Sequence, residues 1–111
     1  MPKYRIKEKS VKVLKFPRSE DGFIGIHLKA GAPIDLTVLD AKSEAIWQKQ
    51  AGHCGSISPS IRFLGTEAMA CIIQVPGTGD FRVVLRNDSC DAITLECEVL
   101  LEPVEPKDGG R

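Results

Sequence analysis

His53 and Cys54 adjoin in the stretch GHCG, where an imidazole and a thiol sit side by side. A zinc ion needs three or four such ligands, usually supplied as close pairs along the chain. The four cysteines, Cys54, Cys71, Cys90 and Cys97, are separated by 17, 19 and 7 positions, and none forms a C-x-x-C pair. His27 and Cys90 would have to converge on the 52–60 loop to complete a set, and no spacing requires it. No metal is therefore expected, with His53, Cys54 and Cys90 the weak candidates for a thiol or metal site. The same pair fails as a nucleophile and base. Adjacent residues seldom point at each other, and no acid stands ready to orient the imidazole. No catalytic residue and no cofactor are expected.

The stretch VPGTGDFRVVLRNDSC, residues 75–90, raises a second possibility. A phosphate loop of the G-x-x-x-x-G-K-[ST] type places a lysine and a helix N-terminus at the phosphates. Here Gly77 and Gly79 are followed by Asp80 and a strand, with no lysine, and the aspartate would repel a phosphate. The glycines are expected to make the hinge of a hairpin, with Pro76 presetting φ and the glycines supplying φ > 0.

Binding chemistry is a better prospect than catalysis. Arg82 and Arg86 recur on one face of the strand at 81–87 and could receive an acidic partner. With a hairpin between 81–87 and 92–102, Arg82 would instead pair with Glu96 across the strands, for a few tenths to about 1 kcal/mol. Phe23, His27 and Trp47, the only tryptophan, would make a recognition patch if exposed.

The elements that must carry these residues read as β throughout. In 3–16, Tyr4, Ile6, Val11 and Val13 are the expected inward positions. Ile24, Ile26 and Leu28 alternate in GFIGIHLKA, as do Ile34, Leu36 and Val38 in PIDLTVLD; with AGAP between them, 22–40 reads as a hairpin. Residues 41–50 hold at most one short helical turn. Met69, Cys71, Ile73 and Val75 alternate, then Phe81, Val83 and Leu85, then Ile93, Leu95, Cys97, Val99 and Leu101. The expected fold is all-β, an antiparallel β-sandwich of about seven to eight strands. It forms a single domain over 1–103, with a disordered tail at 104–111.

Composition narrows the function. The chain has 111 residues with 15 basic and 15 acidic side chains, a balance that argues against nucleic-acid binding. No run approaches the ~20 apolar residues of a membrane span. The alternating, charged N-terminus lacks the apolar stretch of a secretory signal, and a cytoplasmic location with free thiols is expected.

The order of these strands resembles the GOLD-type β-sandwich and bacterial domains of similar plan, such as the pre-peptidase C-terminal domain. The strongest part is Val75-Pro76 with Gly79-Asp80-Phe81-Arg82-Val83-Val84-Leu85-Arg86-Asn87. The resemblance implies a non-enzymatic domain that binds proteins, lipids or sugars through loops or an open sheet face. The expected function is a protein-interaction or assembly module whose partner is another protein or a second copy. A carbohydrate- or lipid-binding sandwich using Phe23, Trp47 and the 52–60 loop is the alternative, with a small-molecule ligand.

Overall fold

A computed structural model describes residues 2–18, 22–41, 60–77 and 79–101. Trp47, His53, Cys54, nearly all of the helical turn expected at 41–50, and the tail at 104–111 lie outside these residues. Every strand pairing is antiparallel, and the sheet curls into a half-barrel. Among the described residues six strands form: β1 (Lys3–Ile6), β2 (Ser10–Phe16), β3 (Phe23–Asp40), β4 (Ser60–Gln74), β5 (Phe81–Asn87) and β6 (Ile93–Leu100).

Part of the difference from the expected seven to eight is that 22–40 is not a hairpin. It is one strand of 18 residues, β3, paired along one edge with β4. Its other edge is shared: β6 takes Gly25–Ala30 and β5 takes Asp35–Asp40. The AGAP segment is the bend of this strand. Ala30–Pro33 of β3 stand opposite Glu67 alone, between the pairs Lys29↔Ala68 and Ile34↔Thr66. A second irregularity sets Asp35 against Leu64 and Gly65. Gly65 has φ 59°, and its N–H donates to Asp35 Oδ1 at 2.8 Å. Bulges of this kind bend a strand and increase its twist. Here they divide the sheet into a half built on β1, β6 and the start of β3, and a half built on β5, β2 and the end of β3.

The bend keeps the alternation in phase. Ile24, Ile26, Leu28, Ile34, Leu36 and Val38 all face one side and are buried. They join Ile6, Val75, Phe81, Val83, Leu85, Ile93, Leu95 and Cys97 in a single core that draws on both halves. Phe16 stacks on Phe81 with ring centroids 5.4 Å apart, which adds about 1 kcal/mol beyond area burial. The phase expected for 10–16 is reversed. Leu14 and Phe16 pack on the core, whereas Val11 is 43 % exposed. The turn at 7–9, with Lys9 at φ 53°, carries the chain from one half to the other and resets which side faces in.

The β5–β6 hairpin is also corrected. β5 pairs with β2 and β3, and β6 with β1 and β3, so Arg82 lies beside Lys15 and Leu39, not Glu96. The connection at 88–92 crosses between halves, as 7–9 does, and Asn87 ties the two together. Its side chain is fully buried. Asn87 Nδ2 donates to the carbonyls of Ile6 (3.0 Å), Lys7 (3.1 Å) and Asp91 (2.8 Å). Its Oδ1 accepts from the Ser89 N–H at 2.9 Å and the Ser89 hydroxyl at 2.7 Å. Replacing Asn87 by Ala removes all five bonds and strands the buried Ile6 carbonyl, and the expected cost is about 3 kcal/mol in urea unfolding. A loss below ~1 kcal/mol would mean that other groups or water satisfy the two turns.

Candidate functional site

At the end away from the bend, Val75–Asp80 spans from the start of β3 to its finish. Val75 N–H donates to Gly22 C=O at 2.7 Å, and Ala41 N–H donates to Asp80 C=O at 3.0 Å. This segment is therefore an arch between halves and not the hinge of a hairpin, since β4 and β5 do not pair with each other. Its glycines do make the turn, with φ 75° at Gly77 and 72° at Gly79. Arg18 holds it from outside. Its guanidinium donates to the carbonyls of Gly79 (2.6 Å), Val75 (2.9 Å) and Pro76 (2.9 Å). On the other side a Cβ at Gly77 would collide with the Asp40 carboxylate, whereas one at Gly79 would meet open space. These contacts close the arch on the protein's own groups, an arrangement for holding chain rather than phosphate. Sequence reasoning missed Arg18, because a guanidinium in a polar turn cluster carries no local sign of the carbonyls it reaches 57–61 positions away.

The residues singled out as binding candidates fall in two places. Arg82 and Arg86 project from the outer face of β5. Arg86 is exposed, with Nε 3.3 Å from Asp88 Oδ1, a surface pair worth at most a few tenths to 1 kcal/mol. Arg82 is half-buried and donates to Phe81 C=O at 3.3 Å. Across the strands it stands between Lys15 of β2 and the buried Leu39 of β3, and Val84 on the same outer side is also buried. Phe23 and His27 belong to the other half. Phe23 is half-buried opposite Gln74, and His27 is exposed between Ala70 of β4 and Glu98 of β6. The bend thus separates the two arginines from Phe23 and His27.

The half that carries His27 has the more open outer face. Across its rows, Lys3, Glu96, Lys29 and Ala68 stand side by side, then Glu98, His27 and Ala70, then Leu100, Gly25 and Ile72. Leu100 is 46 % exposed and Ile72 is 44 % exposed, and they flank the buried Gly25. The charged end of this face is weakly self-paired, with Lys3 Nζ 3.9 Å from Glu96 Oε2. A shallow groove of about 290 Å³ lies there, lined by Lys3, Lys29, Gly31, Thr94 and Glu96 among others. It contains none of the residues of the carbohydrate or lipid alternative, of which only Phe23 and Ser60, the first residue of β4, are among the described residues.

Cys71, Cys90 and Cys97 are free thiols. Cys97 points into the core, and burial pushes its thiol up to about 11; burial raises Cys71 as well. Cys90 is exposed in the 88–92 connection. Among the described residues no group of three His, Cys, Asp or Glu side chains is placed to hold a metal ion. No described helix is long and apolar enough to cross a membrane. No protein-family model matches the chain, and no curated protein matches it.

Two outcomes follow from this geometry. Gly79→Ala costs about 1 kcal/mol for its positive φ alone, whereas Gly77→Ala adds the collision with Asp40 and costs above ~2 kcal/mol. Equal losses in denaturant melts would remove Asp40 from the arch. Among the three described thiols, alkylation mapped by peptide mass spectrometry labels Cys90 first and Cys97 only on unfolding. The raised Cys97 value has a matching pH effect: the folded state keeps a proton that the unfolded state releases. Stability therefore falls as pH rises from about 9 towards about 11, and Cys97→Ser flattens that slope. Rapid labelling of Cys97 in the native protein would contradict its burial.

Proposed function

We propose that the protein is a non-enzymatic interaction or assembly module whose half-barrel works as a two-layer antiparallel β-sandwich. Three features support the sandwich. The core draws on both halves. The six residues Val75–Asp80 can span at most about 18 Å, far less than 18 extended residues, so the two ends of β3 are drawn together. At the side, Lys12 Nζ of β2 lies 5.9 Å from the ring centroid of Tyr4 on β1, bringing the two terminal strands of the path near each other. The GOLD-type resemblance is compatible with this layout at the level of architecture, and it enters the reading on that footing only.

The observation that carries the function is the outer face of the His27 half. Exposed Ile72 and Leu100, set on either side of Gly25, offer apolar area bordered by His27 and Glu98, with Lys29 and Glu96 one row beyond. Interfaces have this layout of apolar centre and polar rim. A rigid strand framework beneath the patch keeps the ordering cost of docking low. The reading takes the cytoplasm as the compartment, in keeping with the free thiols Cys71, Cys90 and Cys97. Its partner is a protein, either a second copy or a different chain.

Size fractionation of a native cell extract tests this reading. The expected result is elution well above the monomer mass, with the Ile72→Asp/Leu100→Asp double variant returning to monomer while keeping its melting temperature. Elution of the unaltered protein as a monomer, or an assembly indifferent to the double variant, would overturn the reading.

A further inference from the structure

Among the described residues, β4 pairs only with β3, which leaves its other edge without a strand. Such edges are usually blunted by lysine, proline or short length, because their unpaired N–H and C=O groups template further pairing. The two terminal strands of the hydrogen-bonded path follow that rule. β1 carries Lys3 and Arg5, and β2 carries Lys12 and Lys15. β4 does not follow it: from Ala68 to Gln74 it reads AMACIIQ, with no charge and no proline. β1 or β2 set against its own copy would bring like charges together, whereas β4 set against its own copy would not.

Resting on the interaction-module reading, we propose that the partner is a second copy of this chain, joined by antiparallel pairing of the Ala68–Gln74 edge with itself about a two-fold axis at Cys71. An axis perpendicular to the sheet keeps outer faces together, so residues of like parity must oppose each other. Cys71 then stands opposite Cys71, Ala70 opposite Ile72, and Ala68 opposite Gln74. On the inner side Met69 stands opposite Ile73. On the outer face each exposed Ile72 meets the small Ala70 of the other copy, which leaves room for its side chain. The joined sheets make one continuous outer face on which the Ile72 and Leu100 patches of the two protomers lie close to the axis.

Sedimentation of the purified full chain at micromolar concentration tests the proposal, with hydrogen exchange read in parallel. The expected result is a dimer whose 68–74 amides are protected, with protection falling on dilution. Ala70→Lys and Ile72→Glu each weaken dimerisation by at least about tenfold, a difference of 1.4 kcal/mol or more. The double variant Ala70→Lys/Ile72→Glu sets opposite charges against each other across the axis and restores the dimer. Circular dichroism melts confirm that each variant folds. A monomer, a dimer indifferent to the single variants, or a double variant no tighter than the singles would overturn it. A purified monomer that still runs as a large assembly in extract would refute self-pairing and leave the interaction-module reading standing, with a different chain as partner.

Discussion

Asn87 sits in a space closed to water, with five hydrogen bonds converging on one carboxamide. Its two Nδ2 protons serve three carbonyls, so one proton is shared, and Oδ1 accepts twice from Ser89. Both chain crossings at the bend depend on it. The 7–9 turn presents the Ile6 and Lys7 carbonyls, and the 88–92 connection presents the Asp91 carbonyl. Lys9 reinforces the contact, with Nζ donating to Asp88 C=O at 2.7 Å. A strand end would ordinarily leave such carbonyls to solvent. Here the Ile6 carbonyl is buried and those of Lys7 and Asp91 are partly so, and an amide of the right shape reaches all three.

That peg explains how a sheet with one long bent strand stays in register. β3 and β4 pass the bend through bulges, where pairing is locally lost, while β1, β2, β5 and β6 reach it through two short crossings. With the crossings held at Asn87 and the opposite end held by the arch at Val75–Asp80, the inner faces of both halves share one core. The outer faces are then free to differ. One has Val84 and Leu39 buried, and the other keeps Ile72 and Leu100 exposed around Gly25. This asymmetry leaves the second face the more open of the two.

The faces of the strands were legible in the sequence where alternation was clean. Ile24 to Val38, Phe81 to Leu85 and Ile93 to Cys97 all point inward as their period-two pattern implies. Pairing was not legible, because a turn-forming sequence specifies a change in direction but not the strand that receives it. AGAP has the composition of a hairpin turn, yet the edges of β4, β5 and β6 recruit it as a bulge. NDSCD likewise reads as a hairpin turn and proves to be a crossing. Asn87 did leave a signal: it continues the inward phase of Phe81, Val83 and Leu85, and an inward amide at a strand end calls for buried carbonyls. Arg18 left none. Of the candidate binding residues, the sequence could place Arg82 and Arg86 together on one face, and Phe23 and His27 on another. It could not show that a bend divides them.

The central claim is that the Asn87 carboxamide is buried and fully engaged at the junction of the two halves. Nitrogen-15 NMR of its side-chain amide tests this most directly. The account predicts that the two Nδ2 protons exchange with solvent as slowly as core backbone amides of β3 and β6. Exchange at the rate of a surface asparagine would contradict it.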